Sequence, residues 1–368
     1  MLEIISPREY VNRPDVLADA GRYIKKYGKN VLILHTAKSL EVVKQQLFAS
    51  LEKAGVSYEL VFFAGYPNVE KAEAYASTYA KRIDAVVGIG GGRVIDMTKV
   101  LGNLLDVPII AIPTVAATCA AWAAISILYT DEGRFIEVHA NNRAPSLILA
   151  DTRILMQSPV RYTYAGIIDT FAKWYELEPY LKLKWRDSDL LVTSDVAQRA
   201  FGLLIAQAGK AIAEAGKGIV SDAAVQTIDC ILFLAGLAGS FKSDKPYRGA
   251  AHTFYNLSTQ VFPAPQLLHG EKIAFGLIFQ QVLLHKQPTE IDETIRLFAN
   301  YSNLFTLKDF RLGNHSGQKI ATLAGNISHA IQKEYLPQAG FAHSKQEIEA
   351  ALYEADRLIG IGKEQLSI

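Results

Sequence analysis

The stretch Gly88-Ile89-Gly90-Gly91-Gly92-Arg93-Val94-Ile95-Asp96 constrains this chain more than any other. It follows the apolar run Ala85-Val86-Val87 and leads into helix-like periodicity from Val94 to Leu104. Successive glycines at the end of a strand let the backbone approach a ligand with no Cβ in the way. A helix starting there aims free N–H groups and the positive end of its dipole at whatever binds, which favours a diphosphate. The spacing departs from G-x-G-x-x-G, so the general dinucleotide fingerprint is weak support. A tight turn in an ordinary α/β domain is the alternative.

Around this turn, short β-rich runs alternate with helical periodicity. Val31–Leu34, Tyr58–Phe63, Ala85–Ile89, Val107–Ile112 and Leu147–Ala150 read as strands. Helices are expected over about 40–54, stopped by Gly55, and over Val69–Lys81. That is the pattern of a largely parallel sheet covered by helices. Ser126–Tyr129 and Phe135–Val138 flank Asp131-Glu132-Gly133 as a hairpin.

From Pro159 onward the strand signals thin out. Helical stretches follow over about 163–178, 188–214, 223–240, 270–284, 290–298, 317–331 and 346–359, and Pro263-Ala264-Pro265 separates two of them. The 368 residues are enough for two cores. The expectation is an α/β nucleotide-binding domain over residues 1–157 and an all-helical domain over 158–368.

Lys plus Arg number 38 against 37 Asp plus Glu, so no global field draws nucleic acid or an anionic membrane. The two cysteines, Cys119 and Cys230, lie far apart and outside any C-x-x-C pattern, which fits a reducing, cytoplasmic setting. The start, Met1-Leu2-Glu3-Ile4-Ile5-Ser6-Pro7-Arg8, lacks a basic region followed by an apolar one, so no signal peptide is expected. No apolar run reaches the length of a bilayer span.

Three polar residues stand in apolar surroundings of the helical part. Asp169 is flanked by Ile167, Ile168 and Phe171; His252 lies in Ala250-Ala251-His252-Thr253-Phe254-Tyr255; His269 lies in Leu267-Leu268-His269-Gly270-Glu271-Lys272, where a helix starts. A buried carboxylate needs a positive partner. One Asp and two His supply three ligands to a divalent ion and leave a position open for substrate. Their wide separation makes this a weak signature by spacing alone, and helix caps or satisfied core residues are the alternative.

Taken with Gly90–Asp96, with Ile112-Pro113-Thr114-Val115-Ala116-Ala117-Thr118, with Ala165-Gly166-Ile167-Ile168-Asp169-Thr170 and with His269-Gly270-Glu271-Lys272-Ile273-Ala274-Phe275-Gly276, these residues give the chain a family likeness. It resembles the glycerol dehydrogenase-like branch of the iron-containing alcohol dehydrogenase superfamily, nearest the hydroxycarboxylate dehydrogenases. The resemblance implies the dehydroquinate synthase-like, iron-containing alcohol dehydrogenase fold, with the active site in a cleft between the two domains. It implies that Asp169, His252 and His269 hold the metal, zinc first and iron or another divalent ion second. It also implies NADP or NAD as cofactor. Gly90, Gly91, Gly92 and Arg93 would then lie along the diphosphate, Asp96 would close the helix start, and Thr114, Ala123, Ile125 and Tyr129 would line the nicotinamide half. Relatives assemble into dimers and larger rings, so a homo-oligomer is expected.

Three departures from the family pattern bear on specificity. Thr36 falls where many relatives have an aspartate that grips the adenine ribose. Without that carboxylate, and with Lys38 nearby, discrimination against a 2′-phosphate weakens and NADP(H) is expected to be accepted. Cys119 takes the place of a substrate-contacting aspartate, which removes a partner for polyol hydroxyls and a charge that repels acids. Tyr255 stands where glycerol dehydrogenases carry a second histidine, leaving the proton path to Tyr255 or to water.

The expected function is therefore a metal-dependent hydride transfer between NAD(P)(H) and a small 2-oxo acid or 2-hydroxy acid, with Asp169, His252, His269, Cys119 and Tyr255 at the reacting centre. Lys173 and Arg248 are the cations considered for a substrate carboxylate. The alternatives are an NAD-dependent glycerol or small-polyol dehydrogenase, a cyclase resembling 3-dehydroquinate synthase, and a nucleotide-binding protein without catalysis.

Overall fold

The computed structural model describes residues 3–183, 187–242, 247–262, 264–301, 304–313, 316–334 and 337–366. Met1, Leu2 and Pro263, on which part of the sequence reading rests, lie outside them.

Besides the two-residue strand Glu3–Ile4, which pairs with Phe241–Lys242, eight strands carry the first part of the described chain: β1 (Glu9–Arg13), β2 (Asn30–His35), β3 (Ser57–Phe62), β4 (Ala85–Gly90), β5 (Ile109–Pro113), β6 (Ile125–Tyr129), β7 (Phe135–Ala140) and β8 (Leu147–Asp151). Six of them form one all-parallel sheet in the order β1-β8-β5-β4-β2-β3, and β6 and β7 pair as an antiparallel hairpin. Side chains alternate across the sheet. Val31, Ile33, Val87, Ile89, Ile110 and Ile112 pack on one face, and Leu32, Leu34 and Val86 on the other. Strands buried on both faces read as continuous apolar runs, which is why β4, β5 and β8 stand out in the sequence. The edge strand β1, Glu-Tyr-Val-Asn-Arg, is only half buried and carries no such run.

Helices α1 (Ala37–Ala54), α2 (Val69–Tyr79) and α3 (Gly92–Leu105) follow β2, β3 and β4. β2 and β4 are neighbours, with His35 opposite Ile89, yet the helices that leave them lead to strands on opposite sides. Such a reversal of strand order opens a crevice at the carboxyl ends of the strands, where ligands of open α/β sheets bind. Thr36 and the glycines therefore stand side by side at the switch point. Ser39 Oγ, in the first turn of α1, donates to the Ile89 carbonyl at 2.7 Å and ties the two ends together.

The rest of the described chain is mainly helical: α4 (Val160–Leu181), α5 (Ser188–Glu214), α6 (Asp222–Asp229), α7 (Ala250–Val261), α8 (His269–Leu283), α9 (Pro288–Ala299), α10 (Ser316–Glu334) and α11 (Lys345–Leu366). The helix expected over 223–240 is broken into α6, a π-helical turn at Cys230–Leu234 and a short turn at Ala235–Ala238.

Two compact units result. One comprises Glu3–Thr163 and Arg199–Lys242; the other comprises Tyr164–Gln198 and the described residues of 243–368. A single cut at 157/158 thus misassigns 199–242, which packs with the sheet. Tyr10 Oη and Asn12 Nδ2, on β1, each donate to Asp229 Oδ1 at 2.8 Å, and Trp122 Nε1 donates to Ser240 Oγ at 2.9 Å. Those partners are polar and distant in sequence, so no composition shift marks the return. The second unit is cored by aromatic rings, among them Phe171, Phe254, Phe275, Phe298 and Phe310, all buried. Among the described residues, no helix is long and apolar enough to cross a membrane.

Candidate functional site

Three helices of the second unit each contribute one ligand-type side chain. Asp169 lies within α4, 3 % exposed. His252 sits in the first turn of α7, and His269 is the first residue of α8. The start of α8 is fixed by Glu271, whose Oε2 accepts the Leu268 N–H at 2.7 Å. This holds the His269 imidazole at the helix entrance and turns it toward α4.

One oxygen, Asp169 Oδ1, faces both imidazoles. It lies 3.3 Å from His252 Nε2 and 3.2 Å from His269 Nε2. The ligand atoms of all three residues fall within 4.8 Å of one another. Donors about 2.1 Å from a zinc ion stand about 3.4 Å apart in a tetrahedron, so these separations suit a shared divalent ion. The donor set is also chemically right: two neutral-capable imidazoles and a carboxylate, with room left for one more ligand.

The electrostatics of the cluster follow from its burial and from the charges around it. Burial pushes the Asp169 carboxyl up, but Lys173, His269 and the two imidazole contacts outweigh it and hold the group well below the usual carboxylate range. Burial pulls His252 down, and Glu176, helped by Asp169, more than reverses this, so its pKa is pushed up to about 9. His269 is lowered, because burial outweighs the pull of Asp169. Lys173 Nζ lies 3.9 Å from Asp169 Oδ1, one helical turn along α4. Tyr255 packs edge-on against His269 with ring centroids 4.2 Å apart, and Lys272 Nζ lies 5.6 Å from the Tyr255 ring centroid. Arg248 meets Tyr180 Oη through its backbone N–H and carbonyl.

The remaining predicted residues lie in the sheet-bearing unit. Gly91 caps α3 without a side chain and Gly92 opens it. A Cβ built on Gly91 would meet only Val115 at 3.2 Å, and one on Gly92 would meet Ala120 at 3.5 Å. At Gly91 a Cβ would press on Val115, but at Gly92 the fold has space, so the lack of a side chain at Gly92 is not a packing demand. It leaves a cradle that a Cβ would fill, beside Pro113, Thr118 and Ala120. The Thr114 N–H donates to the Gly90 carbonyl at 3.1 Å, which seats Thr114 against the turn. Arg93 is exposed, its guanidinium 4.1 Å from the Tyr66 ring centroid.

Asp96 does not cap the helix start; it lies in the second turn of α3. It accepts the Ile127 N–H at 3.2 Å and pairs with the buried Lys99 at 2.8 Å. Lys99 Nζ in turn donates to the carbonyls of Ala120 at 2.9 Å, Ala123 at 3.1 Å and Ile125. The carbonyls of Ala123 and Ile125 are thus engaged within the protein. Thr36 uses its hydroxyl to cap α1, accepting the Ser39 N–H at 3.2 Å. Tyr129 donates its backbone N–H to the Pro67 carbonyl at 3.0 Å, and the Cys119 carbonyl accepts the N–H groups of Trp122 and Ala123.

Two groups near the triad escape a motif-based reading. Glu176 stands seven residues beyond Asp169, two turns along the same face of α4, and its Oε2 lies 2.6 Å from His252 Nδ1. That spacing is visible in the sequence. Gln280, on α8, carries no such signal.

The chain is similar to known proteins in sequence and in fold. The iron-containing alcohol dehydrogenase family profile matches residues 7–152. Two proteins from strains of Escherichia coli are similar in sequence. A glycerol dehydrogenase is 30% identical over 307 residues, covering 81% of each chain. A hydroxycarboxylate dehydrogenase A is 29% identical over 228 residues, 61% of this chain and 62% of that one. The crystal structure of a glycerol dehydrogenase from Schizosaccharomyces pombe superposes with a TM-score of 0.86 at 21% identity, over 99% of this chain and 93% of that one. A sheet with its glycine turn, a helical unit with its Asp-His-His triad, and similarity that runs through both place the chain in the iron-containing alcohol dehydrogenase superfamily, within its glycerol dehydrogenase-like branch.

Proposed function

We propose that the protein transfers a hydride between NAD(P)(H) and a small 2-oxo acid or 2-hydroxy acid, using a divalent ion, zinc first, at Asp169, His252 and His269. The observation that carries this reading is the convergence of three ligand atoms of suitable chemistry within 4.8 Å. When bound, the ion supplies Lewis-acid polarisation of the substrate oxygen, and the nicotinamide gives or takes the hydride.

The chain's own residues do the rest. Asp169 and the two imidazoles fix where the substrate oxygen sits. Tyr255, 8 % exposed and edge-on to His269, covers part of that ring. Lys173, beside Asp169, is the cation we assign to a substrate carboxylate.

The diphosphate is assigned to the turn Gly90–Gly92. Gly92→Ala fits the protein, since its Cβ would keep ordinary contact with Ala120 at 3.5 Å. It is expected to leave the melting temperature near that of the wild type, since nothing in the fold has to move. Its Kd for NAD(P)H, read by cofactor fluorescence, should nevertheless rise at least about tenfold, a loss of about 1.4 kcal/mol. Unchanged cofactor affinity would remove the diphosphate from this turn.

The acid reading of the substrate is supported by Cys119, which the family resemblance sets where glycerol dehydrogenases have an aspartate, and by the similarity to a hydroxycarboxylate dehydrogenase. The second reading, a polyol dehydrogenase, is supported by relatives called glycerol dehydrogenases that align over more of the chain. Initial rates with 2-hydroxybutyrate and with glycerol, each with NAD+ and NADP+, separate the two. The acid is expected to exceed glycerol in kcat/KM by at least about tenfold. NADP+ is expected to be used, because Thr36 presents no carboxylate to a 2′-phosphate. Faster turnover of glycerol would overturn the acid assignment.

A further inference from the structure

Helix α7 begins without a cap of its own. Gly249 stands at its N-cap and has no side chain, so the first-turn N–H groups find acceptors on other helices. Gln280 Oε1, on α8, accepts those of Ala250 at 2.9 Å and Ala251 at 3.4 Å. Glu176 Oε1, on α4, accepts that of His252 at 2.9 Å. Gln280 Nε2 also donates to the Tyr175 carbonyl of α4 at 2.8 Å. The two helices that carry Asp169 and His269 therefore hold the helix that carries His252, through side chains that belong to neither ligand.

Glu176 has a second task. Its other oxygen, Oε2, lies 2.6 Å from His252 Nδ1. With Nδ1 engaged by Glu176, Nε2 is the ring nitrogen left facing Asp169, 3.3 Å from its Oδ1. Gly249 makes the slot: a Cβ there would lie 1.9 Å from Glu176 Oε1.

We propose that Glu176 is a positioning residue that fixes the orientation and the donor atom of His252, and so sets the strength of ion binding without touching the ion. Gln280 and Gly249 complete the arrangement. Carboxylates that orient a ligating histidine typically contribute 10–100-fold in metal affinity. The inference rests on the reading that Asp169, His252 and His269 share a divalent ion.

Glu176→Gln keeps an acceptor for the His252 N–H but offers an amide to Nδ1, so the ring no longer has a carboxylate to orient it. Titration of metal-free protein with cobalt(II), followed in the visible spectrum, tests this. The Kd for cobalt should rise about 10–100-fold and the ligand-field bands should shift, while the melting temperature of the metal-free protein stays near that of the wild type. Gly249→Ala leaves the carboxylate in the chain but drives it off His252, and should weaken cobalt binding in the same way. Wild-type cobalt affinity and spectrum in both variants overturn the role of Glu176 while the metal site stands. A fall confined to the melting temperature, with affinity kept, makes Glu176 a helix cap only and overturns it too. Wild-type protein that takes up no cobalt overturns the metal site itself.

Discussion

His269→Ala should lose metal binding and turnover together while keeping its affinity for the nicotinamide cofactor. The imidazole supplies one of three ligand atoms, and its Nε2 lies 3.2 Å from Asp169 Oδ1. Two remaining ligands cannot enclose an ion against water. Loss of a supporting partner alone costs 10–100-fold in affinity, so loss of a ligand should exceed about a hundredfold in metal Kd and at least as much in kcat. Asp169 keeps Lys173 and His252 as partners, so the carboxylate is not left uncompensated in the core. Metal content per chain, kcat and NAD(P)H binding check the prediction. Retained cofactor binding shows that the fold is intact, and full rate with full metal content would exclude His269 as a ligand.

Gly270→Ala is expected to destabilise the protein by about 3 kcal/mol and to weaken ion binding, for a reason of pure geometry. A Cβ at Gly270 would stand 2.0 Å from the Ala165 carbonyl oxygen and 2.6 Å from Ala165 C and Cα. These are backbone atoms of α4, so nothing can rotate aside. The helices α4 and α8 must separate, and the residues they carry nearest that crossing are Asp169 and His269. Chemical denaturation with and without zinc reads both effects. A variant as stable as the wild type would mean that the two helices are not in the contact described. The contrast with Gly92→Ala is informative. There the glycine has space around it and the expected loss is in ligand binding, whereas at Gly270 the backbone of another helix fills the space.

How far the sequence foretells this molecule depends on where each signal comes from. The buried strands β2, β4, β5 and β8 announce themselves as apolar runs, and Gly55 ends α1 in the left-handed conformation that its position suggests, φ 66°. Strand β1 hides because an edge strand needs no continuous apolar run. Helix α7, Ala-Ala-His-Thr-Phe-Tyr-Asn-Leu-Ser-Thr-Gln-Val, carries β-branched and turn-favouring residues and no capping side chain at its start. Its N-terminus is satisfied by Glu176 and Gln280 from other helices, and local sequence cannot report that.

The candidate site divides in the same way. The glycine turn is local, so its place between β4 and α3 is legible from residues alone. The triad is not local, and spacing gives only weak reason to group Asp169, His252 and His269; it is the family resemblance that joins them. Glu176 lies between these cases: its position two turns beyond Asp169 is plain in the sequence, but its partner on α7 is fixed only by packing. The route of 199–242 back to the sheet depends on Asp229 and Ser240 meeting Tyr10, Asn12 and Trp122, contacts with no periodic signature.

Diffraction from zinc-loaded crystals, recorded on both sides of the zinc absorption edge, tests the central claim most directly. A single anomalous peak about 2.0–2.2 Å from an Asp169 carboxylate oxygen, His252 Nε2 and His269 Nε2 is the expected result. A zinc-loaded crystal with no peak among these three side chains, or with its zinc held by other residues, would contradict the account.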